Sequence, residues 1–361
     1  MPTRLGLSLA AIVVIPFVLP ACGGAAPHEP ARTSAPAPTA PAPATPADAS
    51  QGVARIRADA TKLGSLVRSD LARRFLSAAP SLPAVAPRTL YRDAEKKRVV
   101  DADGLSRVPD RDAFQPLPVD EEFYYSTRYG SPLAYTRALD VLGEAGATLP
   151  PGSRLFDFGY GAAGHLRMLA SLGVHAVGVD VDPLLAALYG APGDQGVIPG
   201  LSGAPGSMRL LHGSFPGDPA VRAAAAGPFD VIVSKNVLKK GYIHPDRPAD
   251  ERKLIRLGVD DAAFLGAVFE RLRPGGFFLI YNICPAPTPP DKPFVPWSDG
   301  RSPFPREAFA AAGFEVRVFD RDDTEAIRTI GHVLGWDQGE DAMDLRNDLS
   351  VLYTIAVRPP G

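Results

Sequence analysis

Eleven residues near the middle of the chain, Arg154-Leu-Phe-Asp157-Phe-Gly159-Tyr-Gly161-Ala-Ala-Gly164, constrain its fold more than any others. An apolar run leads into three glycines and then into helix-forming residues. That order describes a strand, a tight turn and a helix start. Glycine at 159, 161 and 164 lets the backbone turn sharply and come close to a ligand, while the helix N-terminus attracts negative charge. Asp180 closes the next apolar run, where an acidic side chain can hold ribose hydroxyls. By itself the pattern suits a nicotinamide or flavin site equally well, or a turn with no ligand.

The sequence around it repeats the alternation. Apolar strand-like runs fall at 154–158, 176–180, 208–211, 230–234 and 277–282, with later ones at 315–319 and 349–357. Helical patterns lie between them at 164–172, 183–189 and 260–272. Strand and helix in alternation predict an α/β fold, a doubly wound and mostly parallel sheet of seven strands with helices on both faces. Two Gly/Pro-rich loops, 191–207 and 285–305, exceed ordinary connections and read as functional covers or insertions. Ahead of this domain (131–361), residues 51–130 form an N-terminal extension. An amphipathic helix is expected over 51–79, with Val53, Ile56, Ala60, Leu63, Val67 and Leu71 on one stripe. The charged stretch 88–112 reads as solvated surface, and Asp101-Ala-Asp103-Gly104 as a turn, since a calcium loop needs further carboxylates.

Composition narrows the function. With 38 basic against 40 acidic side chains, the net charge of −2 does not suit a nucleic-acid binder. Two distant cysteines, Cys22 and Cys284, and scattered histidines offer no metal site.

Taken as an ordered set, Asp157 with Gly159, Gly161 and Gly164, then Gly178-Val-Asp180-Val-Asp182-Pro183, then Pro228-Phe-Asp230 and Arg273-Pro-Gly-Gly276, resembles the class I S-adenosylmethionine-dependent methyltransferases, from about residue 132 to 358. The resemblance implies a Rossmann-like sheet and S-adenosylmethionine as cofactor. It implies that Asp157 organises the turn, Gly159 and Gly161 give backbone access, Asp180 binds the ribose and Val181 flanks the adenine. Ser214 stands where the family usually has an acid near the adenine amino group, and its hydroxyl can accept that bond. Phe215 and Ser234 complete the expected cofactor contacts. The acceptor is expected to be a small molecule, held by Lys235 and Asn236 after the fourth strand and by Trp297, beside Phe294, in the loop 285–305. His244 is the preferred base, because its intrinsic pKa lies near neutrality; a structural histidine beside a proline turn is the competing reading. Tyr124, Tyr125 and Tyr129 are expected either to cover the cofactor or to pack on the sheet.

The first fifty residues read as an address and a tether. Arg4 precedes an apolar run, 5–19, whose helical length of roughly 22 Å is short of a membrane span. The run therefore reads as the h-region of a secretory signal. It ends in Leu19-Pro-Ala-Cys22-Gly23, which resembles the lipobox of bacterial lipoproteins and implies lipidation of Cys22. Residues 23–50 contain no Val, Leu, Ile or aromatic residue and many Ala-Pro pairs, the composition of an extended, unfolded tether. A lipid anchor places the domain in the cell envelope, on its periplasmic or surface side. That conflicts with a cofactor made in the cytoplasm. Either the enzyme is supplied by another route or kept in the cytoplasm, or the chain is a membrane-tethered, catalytically silent binding module of the same fold. Metabolic labelling with a palmitate analogue is expected to mark the protein and Cys22→Ser to abolish the mark; an unlabelled wild-type chain in the cytosolic fraction refutes the anchor.

Overall fold

The computed structural model describes residues 51–128, 130–339 and 342–361. The signal-like run, Cys22, the Ala/Pro segment and Tyr129 lie outside the described residues. No helix among the described residues is long and apolar enough to cross a membrane.

Eleven strands are described. β1 (Arg88–Asp93), β2 (Val99–Val100) and β3 (Phe114–Val119) make a small antiparallel sheet in the extension, in the order β2-β1-β3. The other eight are β4 (Arg154–Phe158), β5 (His175–Asp180), β6 (Gly196–Ile198), β7 (Gly206–His212), β8 (Phe229–Lys235), β9 (Leu272–Cys284), β10 (Glu315–Asp322) and β11 (Ser350–Val357). They form one sheet in the order β10-β11-β9-β8-β4-β5-β7-β6. Neighbours from β9 through β7 are parallel, and β11, β10 and β6 each pair antiparallel. This is the doubly wound, mostly parallel sheet expected, with an eighth strand. The addition is β6, a three-residue edge strand from the loop 191–207.

Alternation along the central strands builds two cores. Leu155, Val231, Val233, Leu279 and Tyr281 enter one apolar cluster, while Phe156, Ile232, Phe278 and Ile280 enter the other. Successive side chains point to opposite faces, so a strand covered on both sides is apolar at most positions. Helices Thr136–Glu144, Gly164–Ser171, Pro183–Leu188 and Thr324–Val333 bring residues to the first cluster. Pro219–Ala224, Asp261–Arg271 and Arg306–Ala311 serve the second.

The extension differs from its expected form in two places. The helix expected over 51–79 is broken into Gln51–Leu63 and Asp70–Ser77. Asp140 causes the break: its Oδ1 accepts the backbone N–H of Arg68 at 2.9 Å and of Ser69 at 2.7 Å. Ser69 then caps the second helix by accepting from Ala72 N at 3.2 Å. All six stripe residues are buried, and they join the first cluster rather than a core of their own. The charged stretch 88–112 is not merely solvated surface, because β1 and β2 run through it. Its charges are partly consumed internally, with Arg98 bound to both Asp93 and Asp110. Asp101 caps a short helix, Ala102–Arg107, through Gly104 N at 2.7 Å. No group of residues able to hold a metal ion occurs among the described residues.

A buried ion pair ties the helix Thr136–Glu144 to the start of the helix Thr324–Val333. The Arg137 guanidinium bonds both carboxylate oxygens of Asp323 at 2.9 Å and Asp140 at 2.6 Å, and Tyr281 donates to Asp323 at 2.6 Å. Arg137→Met leaves two buried carboxylates without their cation, and is expected to destabilise the fold by about 3–5 kcal/mol. A urea denaturation midpoint equal to that of the wild type excludes that role.

Candidate ligand-binding cleft

Strand register places the site. Asp157 lies opposite Gly178 on one side and Val233 on the other. Two residues further along, Gly159, Asp180 and Lys235 therefore stand at one level on three adjacent strands, at the carboxyl edge of the sheet. Chain order runs outward from β4 through β5 to β7, then returns to β8 on the other side of β4. Ligands in wound sheets sit at this reversal. A cleft of about 360 Å³ opens there.

The glycine turn forms its floor. Gly159 has φ of +80°, and a Cβ on it would stand 2.3 Å from Val237 Cγ2, so no other residue fits. Gly161 also lies in the left-handed region. Gly164 starts the following helix but does not line the cleft. Its bare Cα packs against Pro132 and Tyr125, where a Cβ would come within 3.0 and 3.1 Å.

Asp180 faces the turn. One carboxylate oxygen accepts Gly161 N at 3.1 Å and the other Asp182 N at 3.0 Å. Each keeps lone-pair capacity for a further donor. Burial raises this carboxyl to about 6, in spite of the backbone bonds that lower it. Val181, beside it, is 63% exposed, a large apolar side chain presented to the cleft. Ser214 and Phe215 line the same end. Leu254, Ile255 and Leu257 also line the cleft, and sequence reasoning did not single them out.

Below the turn lies a buried cluster. Asp157 Oδ2 accepts the Tyr135 hydroxyl at 2.9 Å and sits 2.6 Å from His165 Nε2. The two rings stack, with centroids 3.5 Å apart and an interplanar angle of 7°. Burial pushes the His165 ring below its ordinary value and the Tyr135 hydroxyl far above its own. A neutral imidazole and a protonated phenol therefore both donate to one carboxylate. Neither Tyr135 nor His165 was singled out in the sequence, although His165 follows Gly164 directly.

Lys235 lies on the far side of the turn from Asp180. It is 7% exposed and lines the cleft, with Nζ 5.1 Å from the centre of the Tyr135 ring. Burial lowers its ammonium to about 8, with Asp157 opposing that shift and Lys239 adding to it. Asn236 also lines the cleft, at φ of +67°. Its N–H donates to Tyr281 O at 3.0 Å, and its Oδ1 accepts Ile283 N at 2.7 Å.

Like Gly164, three further expected site residues lie outside the cleft lining. Ser234 turns its hydroxyl into the sheet, buried and without a partner, outside the cleft lining. His244 is not in the cleft; its Nε2 lies 2.9 Å from Asp261 Oδ1 at the surface. Backbone bonding explains its position: Lys240 N donates to Arg301 O and Gly241 N to Asp299 O, so the segment after β8 follows the loop 285–305 away from the turn. Trp297 belongs to that loop and also lies outside the lining, its ring facing Lys253 and its carbonyl accepting Lys239 Nζ at 3.5 Å. The loop is pinned by Asn282, whose Nδ2 donates to Gly300 O at 2.9 Å, and Phe294 faces Arg247. No residue of this loop lines the cleft. Tyr124 and Tyr125 take the packing alternative, donating to Asp194 and to the Pro83 carbonyl.

Fold and cleft together define a wound-sheet domain with a glycine turn and a cleft at the carboxyl edge of its sheet. No protein-family model matches the chain, and no curated protein sequence matches it. Among solved structures, phosphoethanolamine N-methyltransferase 2 of Haemonchus contortus is 14% identical over 79% of this chain and 74% of its own, with a TM-score of 0.35. A cyclopropane synthase of Mycobacterium tuberculosis is 16% identical over 58% and 80%, with a TM-score of 0.36. Precorrin-6y C5,15-methyltransferase of Geobacter metallireducens is 13% identical over 59% and 84%, with a TM-score of 0.30.

Asp157→Ala strands the Tyr135 hydroxyl and the His165 N–H in the core, and is expected to cost about 2–4 kcal/mol, since each orphaned buried donor costs about 1–3. A denaturant titration that shows no loss of stability rules out the cluster as a structural centre.

Proposed function

We propose that this cleft binds S-adenosylmethionine and that the protein transfers its methyl group to a small-molecule acceptor. The observation that carries the reading is the Asp180 carboxylate, fixed by the N–H of Gly161 in the glycine turn and by that of Asp182 and lining the cleft, with Val181 exposed beside it. A ribose diol fits the spare lone pairs of that carboxylate, and an adenine face fits the valine. Ser214 offers a hydroxyl at the same end. When bound, S-adenosylmethionine supplies an electrophilic methyl group on a sulfonium.

The protein's own contribution is position. Gly159 and Gly161 bring bare backbone to the ligand, and the Asp157 cluster keeps that backbone in place. Holding donor and acceptor in line accounts for most of what such a site must do. The anchor at Cys22 and the tether behind it belong to the same proposal, with the domain working in the cell envelope.

The test is calorimetric titration of S-adenosylhomocysteine between pH 5 and 8. The ionised Asp180 accepts the ribose hydroxyls, and its carboxyl titrates at about 6. Affinity is therefore expected to be flat above pH 7 and to fall as pH drops through 6, by about tenfold at pH 5. Asp180→Ala is expected to lose about 1.5–3 kcal/mol of binding, the range for charge-assisted hydrogen bonds, together with the pH dependence. Equal affinity in the variant places the ligand elsewhere; tight binding without transfer to any acceptor assigns the silent, tethered module instead.

A further inference from the structure

The end of the cleft beyond the glycine turn is lined by donors that nothing in the protein uses. Among the described residues, the Lys235 ammonium makes no hydrogen bond and no ion pair; the Tyr135 ring is its neighbour. The other cleft cations are tied, Arg128 to Asp182 at 2.7 Å and Arg256 to Glu251 at 2.7 Å. Asn236 adds a second donor. Because Ile283 N donates to its Oδ1, the amide orientation is fixed and Nδ2 is left to donate. A buried, unpaired ammonium is costly to a fold, and its retention beside a free amide calls for a ligand.

We propose that Lys235 and Asn236 anchor an anionic group, a carboxylate or a phosphate, on the methyl acceptor. This rests on the reading that the Asp180 end takes S-adenosylmethionine. Two strand spacings, roughly 10 Å, separate Asp180 from Lys235, which leaves the space above Gly159 for the reacting groups. The anchor is single-sided: lysine gives a point charge and asparagine gives direction, so the site selects an anion without demanding the planar fork that arginine reads. The unusual proton affinity of Lys235 agrees with this role. The charged and titratable groups facing it are Asp157, His165, Tyr135 and Lys239. An anion brought to the ammonium strengthens its hold on the proton, so anion binding is expected to weaken as pH rises through about 8.

The test uses the full-length chain saturated with S-adenosylhomocysteine, at constant ionic strength. Inorganic phosphate, benzoate and the uncharged benzamide are titrated in turn by calorimetry. Phosphate or benzoate is expected to bind, and the one that binds more tightly identifies the anion; benzamide is expected not to bind. Lys235→Met is expected to weaken the anion about tenfold or more, the effect of losing one charge-assisted hydrogen bond, with S-adenosylhomocysteine affinity unchanged. Lys235→Arg keeps the charge and is expected to retain much of the anion affinity. Asn236→Asp preserves the acceptor for Ile283 N but replaces the amide donor by a carboxylate, and is expected to repel the anion. If Lys235→Met fails to fold by circular dichroism, the Asn236→Asp titration decides.

Absence of anion binding, or undiminished binding in the variants, overturns the proposal. A parallel loss of S-adenosylhomocysteine affinity in Lys235→Met also overturns it, by assigning the lysine to the cofactor's own carboxylate. If S-adenosylhomocysteine does not bind the wild-type chain, the cofactor reading fails instead, and the same anion titration of the ligand-free protein still tests Lys235.

Discussion

The Asp157 carboxylate is the interaction on which the rest of the site depends. It is the penultimate residue of the strand that stands at the centre of the sheet, and it is wholly buried. A carboxylate in that position is tolerable only if donors meet it. They come from both sides of the glycine turn: Tyr135 from the segment before the strand, His165 from the helix after it. The three residues thus tie the strand below the turn to the segment before it and to the helix after it. The stacked rings extend this link to Lys235.

Much of this was legible in the sequence, and the legible part has one physical cause. Strands covered on both faces are apolar at most positions, so β4, β5, β8 and β9 announce themselves as largely apolar runs. The glycine turn is equally visible, since positive φ and close approach to Val237 leave no alternative to glycine at 159. Asp180 and Val181 follow from the turn, and the structure brings both to the cleft. Strands β1, β2, β3 and β6 carry no such signal. Val197 in β6 is 75% exposed, and β3 contains Pro116 and Pro118, which ordinarily argue against a strand. Their pairing is set by tertiary contacts that no local pattern encodes.

The site residues that sequence reasoning misplaced failed for a different reason. His244 was selected for its chemistry, a proton affinity near neutrality, and chemistry alone does not say where a side chain goes. Whether the segment after β8 turned towards the glycines or away depended on the distant carbonyls of Asp299 and Arg301, which accept its backbone N–H groups. Trp297 follows the same displacement. Tyr135 was missed because its partner, Asp157, is 22 positions later in the chain. Leu254 and Leu257 sit in an irregular segment with no periodicity to mark them as a wall.

Those distant contacts also decide what counts as the domain. The boundary at residue 131 follows the sequence pattern, yet the cleft does not respect it. Thr127 donates to the Gly161 carbonyl at 3.2 Å, so the extension reaches the turn itself. Arg128 holds Asp182 at 2.7 Å on the neighbouring rim, immediately past Asp180 and Val181, which line the cleft. Glu121, buried in the same stretch, accepts Val53 N and Val85 N, and so binds the end of the extension to its first helix. The apolar stripe of that helix is in turn continuous with the core beneath the sheet. A wound sheet supplies the level platform of Gly159, Asp180 and Lys235, but part of the rim comes from Arg128 and Gly130, ahead of the boundary. The extension is therefore part of the site's architecture: its Arg128 and Gly130 line one edge of the cleft, and its Thr127 reaches the glycine turn.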